Sequence, residues 1–326
     1  MWTYIVRRTL YNIPVFLAII FLMMAALRVS DPVTAQLSKN PTPQEIELKK
    51  KEYGLDKPFV VQYVVFLKQV VTLDFSEKSW DQKRSVGSMI ANAIPPSMAL
   101  TIPTLAITAS VAICIGLISA FYRGRVIDKT LMFFAVTGMS ISVLVYIMIG
   151  QYWGAFLPSQ YLSGWPFQVT VSAKASSGSA WFFFIPKNWV AYCMLPVMIN
   201  VVVALGYDTR FYRAVMVEES QKDYIRTARA KGASTKRVMF VHMLKNAMIP
   251  IITRIMISLP FIITGSILIE MYFNIPGMGR TLIKAITNKD FPVIQAFTAL
   301  FAALFIASNI LTDVLYALAD PRVRLS

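Results

Sequence analysis

The chain has 326 residues, of which 56% are hydrophobic and 15% charged, with a formal net charge of +15. Soluble domains sit near 45–50% apolar and about 25% charged, so this balance excludes an ordinary soluble fold and points to a polytopic membrane protein. In such a chain the basic excess belongs to loops beside anionic headgroups, and nucleic-acid binding is not expected. Two cysteines without a Cys-x-x-Cys pair give no disulfide framework, and one histidine, His242, gives no metal cluster.

Apolar runs of membrane-crossing length occur at Thr9–Leu27, Ser97–Phe121, Thr130–Gln151, Trp189–Gly206, Ala247–Met271 and Val293–Ala317. The first follows Arg7 and Arg8 but is longer than a signal-peptide core and lacks a small-x-small cleavage site, so a retained anchor is expected. Beyond it, "TPQE" at Thr42–Glu45 has the form of a capping box, and Gly54 suits the end of that helix. A second helix starting at Pro58, "FVVQYVVFLKQVV", is too short to span and should lie along the membrane surface or pack on the spans.

Lys and Arg mark alternate connections. They lie at Arg7 and Arg8, at Arg123, Arg125 and Lys129, at nine positions in the loop 207–246, and at Arg322 and Arg324 in the tail. The positive-inside rule therefore places both termini in the cytoplasm, which six crossings satisfy. The spans are nearly free of ionisable groups near their middles; Arg254 and Asp313 lie where their side chains can reach the boundary. That paucity disfavours an ion-coupled carrier. Thr101, Thr104, Thr108, Ser258, Thr264 and Ser266 are candidate pathway-lining groups, with helix–helix packing as the alternative role of each.

No phosphate-binding loop is present: "KGASTK" at Lys231–Lys236 has the wrong spacing and follows no strand. A Ser/His/Asp arrangement cannot be built from one histidine in a basic loop. That loop itself is patterned. Val217 to Lys231 is a helix former with Tyr224, Ile225 and Ala228 on one side, Gly232 ends it, and Ser234 caps the next helix. The second helix carries Val238, Val241, Leu244 and Met248 as a stripe. Small residues at the bend (Ala228, Ala230, Gly232, Ala233) allow close approach to another protein, and charges around them can form a polar rim.

"DYIRTARAKGAS" followed by "HMLKNAMIP" resembles the cytoplasmic signature loop of ATP-binding-cassette importer permeases, in the form found in peptide and nickel importers. The general pattern of that loop is Glu-Ala-Ala, three residues, Gly; here Arg226-Thr227-Ala228 stands in the first three places, so only Ala228 and Gly232 match it. The resemblance continues through "YIVRRTLYNIPVFLAIIFLMMAALRVSDPV", "YGLDKPFVVQYVVFLKQVVTLDFS", "FYRGRVIDK", "EMYFNIPGMGRTLIKAITNKDFPVIQA" and "DVLYALADPRVR", with Leu73 and Ser76 where glycines are more usual.

It implies an all-α, six-helix permease of the type I importer fold in a bacterial inner membrane. Residues 1–95 would be an N-terminal helix plus an extracytoplasmic helical segment, and 96–319 the core transmembrane domain. It implies a second permease subunit, ATPase subunits that hold the ATP and magnesium, and an extracytoplasmic solute-binding protein. This chain would bind no cofactor and catalyse no reaction. Asp223, Tyr224, Arg226, Thr227, Ala228, Ala230, Lys231, Gly232, Ala233 and Ser234 would form the coupling helix that docks on the ATPase. Peptide is the expected cargo and nickel the alternative within the family. A stand-alone carrier or channel would have no reason to shape this loop, and a membrane-bound enzyme is disfavoured by the lack of plausible catalytic groups.

Overall fold

The computed structural model describes residues 2–28, 42–171, 180–258, 260 and 266–319. Among these the secondary structure is helical, apart from an isolated bridge between Lys78 and Ser85. Five helices are long and apolar enough to cross a membrane, and a bent pair supplies a sixth span. In chain order the spans are α1 (Trp2–Leu27), α4 (Val86–Phe121), the pair α5 (Val126–Ser140) and α6 (Val143–Tyr161), α8 (Met194–Ser220), α10 (Thr235–Ile257) and α13 (Phe291–Ala319). The shorter helices are α2 (Pro43–Glu52), α3 (Phe59–Thr72), α7 (Pro186–Tyr192), α9 (Asp223–Ala230), α11 (Ile267–Tyr272) and α12 (Met278–Thr287).

Four of the expected spans differ in extent or shape. The run at Ser97–Phe121 is the C-terminal part of a 36-residue helix, α4, which Ser85 caps by accepting from the Ser88 amide at 3.3 Å. At 1.5 Å per residue it is ~54 Å long, well beyond a ~30 Å hydrocarbon core. The run Thr130–Gln151 is not one straight helix; it bends by 92° between Ser140 and Val143, where Ser142 caps the second limb. The run Trp189–Gly206 belongs to two helices, broken at Cys193, and the second continues to Ser220. The run Ala247–Met271 begins earlier, at Thr235, and its helix stops at Ile257.

α4 and α8 pack most extensively against each other. Gly116 makes this possible: a Cβ there would meet the Arg213 amide and the Tyr212 Cβ at 3.1 Å. Gly206 does the same for α8 against α5, where an added Cβ would lie 2.6 Å from the Ala135 carbonyl and 2.9 Å from Met139. Small residues at such crossings substitute close backbone contact for the hydrophobic drive that lipid removes. Pro103 lies inside α4 and cannot bond the carbonyl four residues back. That carbonyl, on Ala99, accepts instead from the Trp189 indole of α7 at 2.9 Å.

α2 begins with the expected capping box: the Glu45 amide donates to Thr42 and the Thr42 amide to Glu45. α3 is a packed surface helix. Phe66 is buried with Ile20 and Met24 of α1 and Ala299 of α13, and the Tyr63 hydroxyl donates to the Leu17 carbonyl at 3.0 Å. Its other face, with Val60, Val64 and Val71, is exposed. Leu73 ends α3 at φ 53°, in the left-handed region.

Candidate functional site

α9 connects α8 to α10 at the end of the bundle where α4 stops. The reading of one helix from Val217 to Lys231 is corrected: α8 runs to Ser220, the chain breaks at Gln221 and Lys222, and α9 starts at Asp223. The helix-forming residues persist, but Lys222 adopts an extended backbone, φ −70° and ψ 150°. The far end of α9 is as the sequence implied. Gly232 lies at φ +78°, the Gly232 amide donates to Arg229 O at 2.9 Å, and the Ala233 amide to Ala228 O at 3.1 Å. This paired closure satisfies carbonyls that a helix end otherwise orphans, and it needs a residue at ease in the left-handed region. Ser234 then accepts from the Arg237 amide at 3.4 Å and opens α10.

The two faces of α9 are distinct. Ile225 and Ala228 are buried with Tyr212 and Met216 of α8 and Val238, Met243 and Ala247 of α10. Tyr224 and Ala233 are half-buried beside them. Asp223, Arg226, Thr227, Arg229, Ala230, Lys231, Gly232 and Ser234 are exposed. Ala228 is therefore turned into the chain's own core, and the outward surface is set by Ala230, Gly232 and the charged residues. The stripe expected on α10 also shifts. A π-helical turn at Val238–Met243 adds a residue to one turn, so Val238, Met243, Ala247 and Ile251 face inward while Val241 is 50% exposed.

Buried carboxylates bind this region and its surroundings together. Glu219, in the last turn of α8, accepts from the Tyr224 hydroxyl and pairs with the Lys222 ammonium across the break. Burial pushes the Tyr224 phenol above its ordinary range, and the hydrogen bond to Glu219 adds to this. Asp128, in the first turn of α5, accepts from Arg213 Nε and Nη2 at 2.6 and 2.7 Å, from the Gly124 amide at 2.9 Å and from Ser119. Arg213 thus ties α8 to the α4–α5 turn in a two-pronged pair. Arg254 and Asp313, expected to reach the boundary, have ion-pair partners, Asp208 at 2.9 Å and Arg8 at 2.8 Å.

At the opposite end, where α4 begins, Glu270 of α11 is fully buried. It accepts from Ser97 of α4 at 2.6 Å and from the Arg280 amide at 3.0 Å, while the Met278 amide donates to Ser97 at 2.8 Å. A Cβ on Gly277 would fall on this carboxylate, so a larger residue there would have to displace it. Asp290, ahead of α13, accepts from Ser79 and from the Trp80 amide at 3.0 Å. Trp80 in turn stacks between Tyr53 at 4.0 Å and Phe291 at 5.5 Å. Sequence reading singled out none of Glu219, Glu270 or Asp290. A lone acid in the apolar run "ILIEMYF" is the one signal that could have marked Glu270.

Of the candidate pathway residues, Thr101 and Thr104 are half-buried and donate to carbonyls of their own helix, Ser97 O and Leu100 O, each at 2.8 Å. Thr108 is buried and its hydroxyl has no partner among the described residues. Ser258 is half-buried and bonds Arg254 O at 3.3 Å; Ser266 precedes α11. Thr264 lies outside the described residues.

The architecture is that of an all-α, multi-pass membrane protein. Residues 112–325 match the family described as "Binding-protein-dependent transport system inner membrane component", and residues 1–101 match its N-terminal companion, "Binding-prot-dependent transport system membrane comp, N-term". The chain belongs to this family of transport permeases. It is 34% identical over 322 residues to a putative peptide transport system permease protein of Brucella abortus, covering 98% of each chain. A probable peptide ABC transporter permease protein of Sinorhizobium fredii is 32% identical over 326 residues, covering 99% of this chain and all of the relative. The oligopeptide transport system permease protein AppB of Bacillus subtilis is 30% identical over 328 residues, 99% of each.

Proposed function

We propose that this chain is one of two permease subunits of an ATP-driven peptide importer, and that α9 is the helix through which an ATPase subunit drives it. The observation that supports this best is the division of α9. A short helix closed at Gly232 shows a charged outer face, while Ile225 and Ala228 seat it between the ends of two spans. A push on the outer face would reach α8 and α10 directly. ATP and magnesium would be held by the ATPase, and peptide would arrive from an extracytoplasmic binding protein. On this reading α9 and both termini are cytoplasmic. Residues 1–95 would be an anchor with an extracytoplasmic segment, and 96–319 the core domain. Thr101, Thr104, Thr108, Ser258, Thr264 and Ser266 would contribute to the path, whose other half the second permease would supply.

The test is purification of the tagged chain in mild detergent from its native membrane, with co-purifying chains identified and peptide uptake measured in proteoliposomes. The reading expects a cassette ATPase, a second six-helix permease and uptake that requires ATP. Recovery of this chain alone, moving solute without ATP, would overturn it. Nickel uptake in place of peptide uptake would change the cargo and leave the coupling role standing.

A further inference from the structure

The break between α8 and α9 is only Gln221 and Lys222, so the chain there can pivot. Burial alone holds α9 weakly. It is eight residues long, and only Ile225 and Ala228 are buried. Isolated helices of this length are unstable in water, so its direction depends on what ties it to its neighbours. One side chain adds a polar tie. Glu219 is 8% exposed, whereas Glu218 beside it faces solvent. One carboxylate oxygen of Glu219 takes the Lys222 ammonium at the break, and the other takes the Tyr224 hydroxyl in the first turn of α9. A single buried carboxylate therefore joins the end of α8, the pivot and α9.

We infer that Glu219 is a positioning residue for coupling: its clasp on Lys222 and Tyr224 fixes the angle of α9 to α8, so that movement of α9 is passed to the span instead of being lost at the pivot. This rests on the proposed docking role of α9. A hydrogen bond to a charged group biases an equilibrium by a factor of roughly ten or more. Without the clasp, α9 should leave its present angle at least that much more often. ATP would still be hydrolysed, because Glu219 is buried behind the docking face, but less of the motion would reach the span.

The experiment uses the complete complex in proteoliposomes with saturating binding protein and a peptide substrate, and reads peptide moved per ATP hydrolysed. Glu219→Ala should lower that ratio at least fivefold, with ATPase still co-purifying in normal amount. Glu219→Gln keeps an oxygen for the Tyr224 hydroxyl but loses the charge that holds the Lys222 ammonium, and should give a ratio between those of Glu219→Ala and the unmodified complex. Tyr224→Phe removes one hydroxyl, carries little risk to folding, and should lower the ratio as Glu219→Ala does; the double variant should be no worse than either single one. Unchanged ratios in Glu219→Ala and Tyr224→Phe, with the ATPase bound, would overturn the clasp and leave the docking role intact. A Glu219→Gln ratio as low as that of Glu219→Ala would overturn the hydrogen-bond clasp by assigning its effect to charge. If the unmodified chain binds no ATPase, the docking role itself fails, and the clasp with it.

Discussion

Replacing Gly232 separates backbone geometry from side-chain contact. Its φ is +78°, and a Cβ built on it meets nothing within 4 Å, so substitution there introduces strain without collision. An ordinary side chain in the left-handed region costs roughly 1–2 kcal/mol, with β-branched residues worst and Asn tolerated. The structure concentrates that cost on two hydrogen bonds, Gly232 to Arg229 and Ala233 to Ala228, which close α9. A penalty of this size corresponds to a factor of about 5–30 in the population of the open turn. Gly232→Val should therefore speed amide hydrogen exchange in residues 223–237 by that factor, measured by mass spectrometry on the chain in lipid nanodiscs, and should lower peptide uptake in the assembled complex. Gly232→Asn should stay within about threefold of the parent in exchange. If Gly232→Val exchanges at the parent rate, the left-handed turn does not hold the end of α9, and the argument from backbone strain is wrong.

Leu73 also lies in the left-handed region, at φ 53°, and is 77% exposed. Leu73→Gly should therefore raise stability by about 1 kcal/mol, seen as a higher midpoint in thermal unfolding in detergent. Trp189→Phe keeps a large ring but removes the donor to the Ala99 carbonyl that Pro103 leaves free, and should destabilise by about 1–3 kcal/mol in the same assay. Gly206→Leu would drive a side chain into the Ala135 carbonyl and Met139 backbone, where nothing flexible can yield; a loss of at least 1–3 kcal/mol is expected, read as a lower unfolding midpoint. Ser97→Ala removes the hydroxyl that joins α4 to Glu270 and the Met278 amide, and should loosen α12, raising exchange in residues 278–287.

The sequence made local features legible. The capping box at Thr42, the left-handed stop at Gly232 and the Ser234 cap are each contained within a few residues, and each is present. The apolar runs marked the spans because length and hydropathy are sums over neighbours. What stayed hidden depends on distance along the chain. Asp290 meets Ser79 and Trp80 about 210 residues away, and Glu270 meets Ser97 from 173 residues away. No local pattern pairs an acid with a hydroxyl on another helix. The π-helical turn in α10 defeated the periodicity argument directly: one extra residue put Val241 outward and Met243 inward. In the candidate site, the glycine bend and the polar outer face of α9 were readable, but the buried position of Ala228 and the break at Gln221–Lys222 were not. Ala228 is read correctly only once α8 and α10 are known to close over it.

α4 is a continuous helix held by a carboxylate at two places, by Glu270 through Ser97, about a third of the way along, and by Asp128 through Ser119 in its last turn. A rod of ~54 Å turning about its centre through five degrees carries each tip about 2 Å in opposite directions. That is about the radius of a methyl group. Ser97 and Ser119 belong to one unbroken helix, so a tilt that displaces one hold displaces the other.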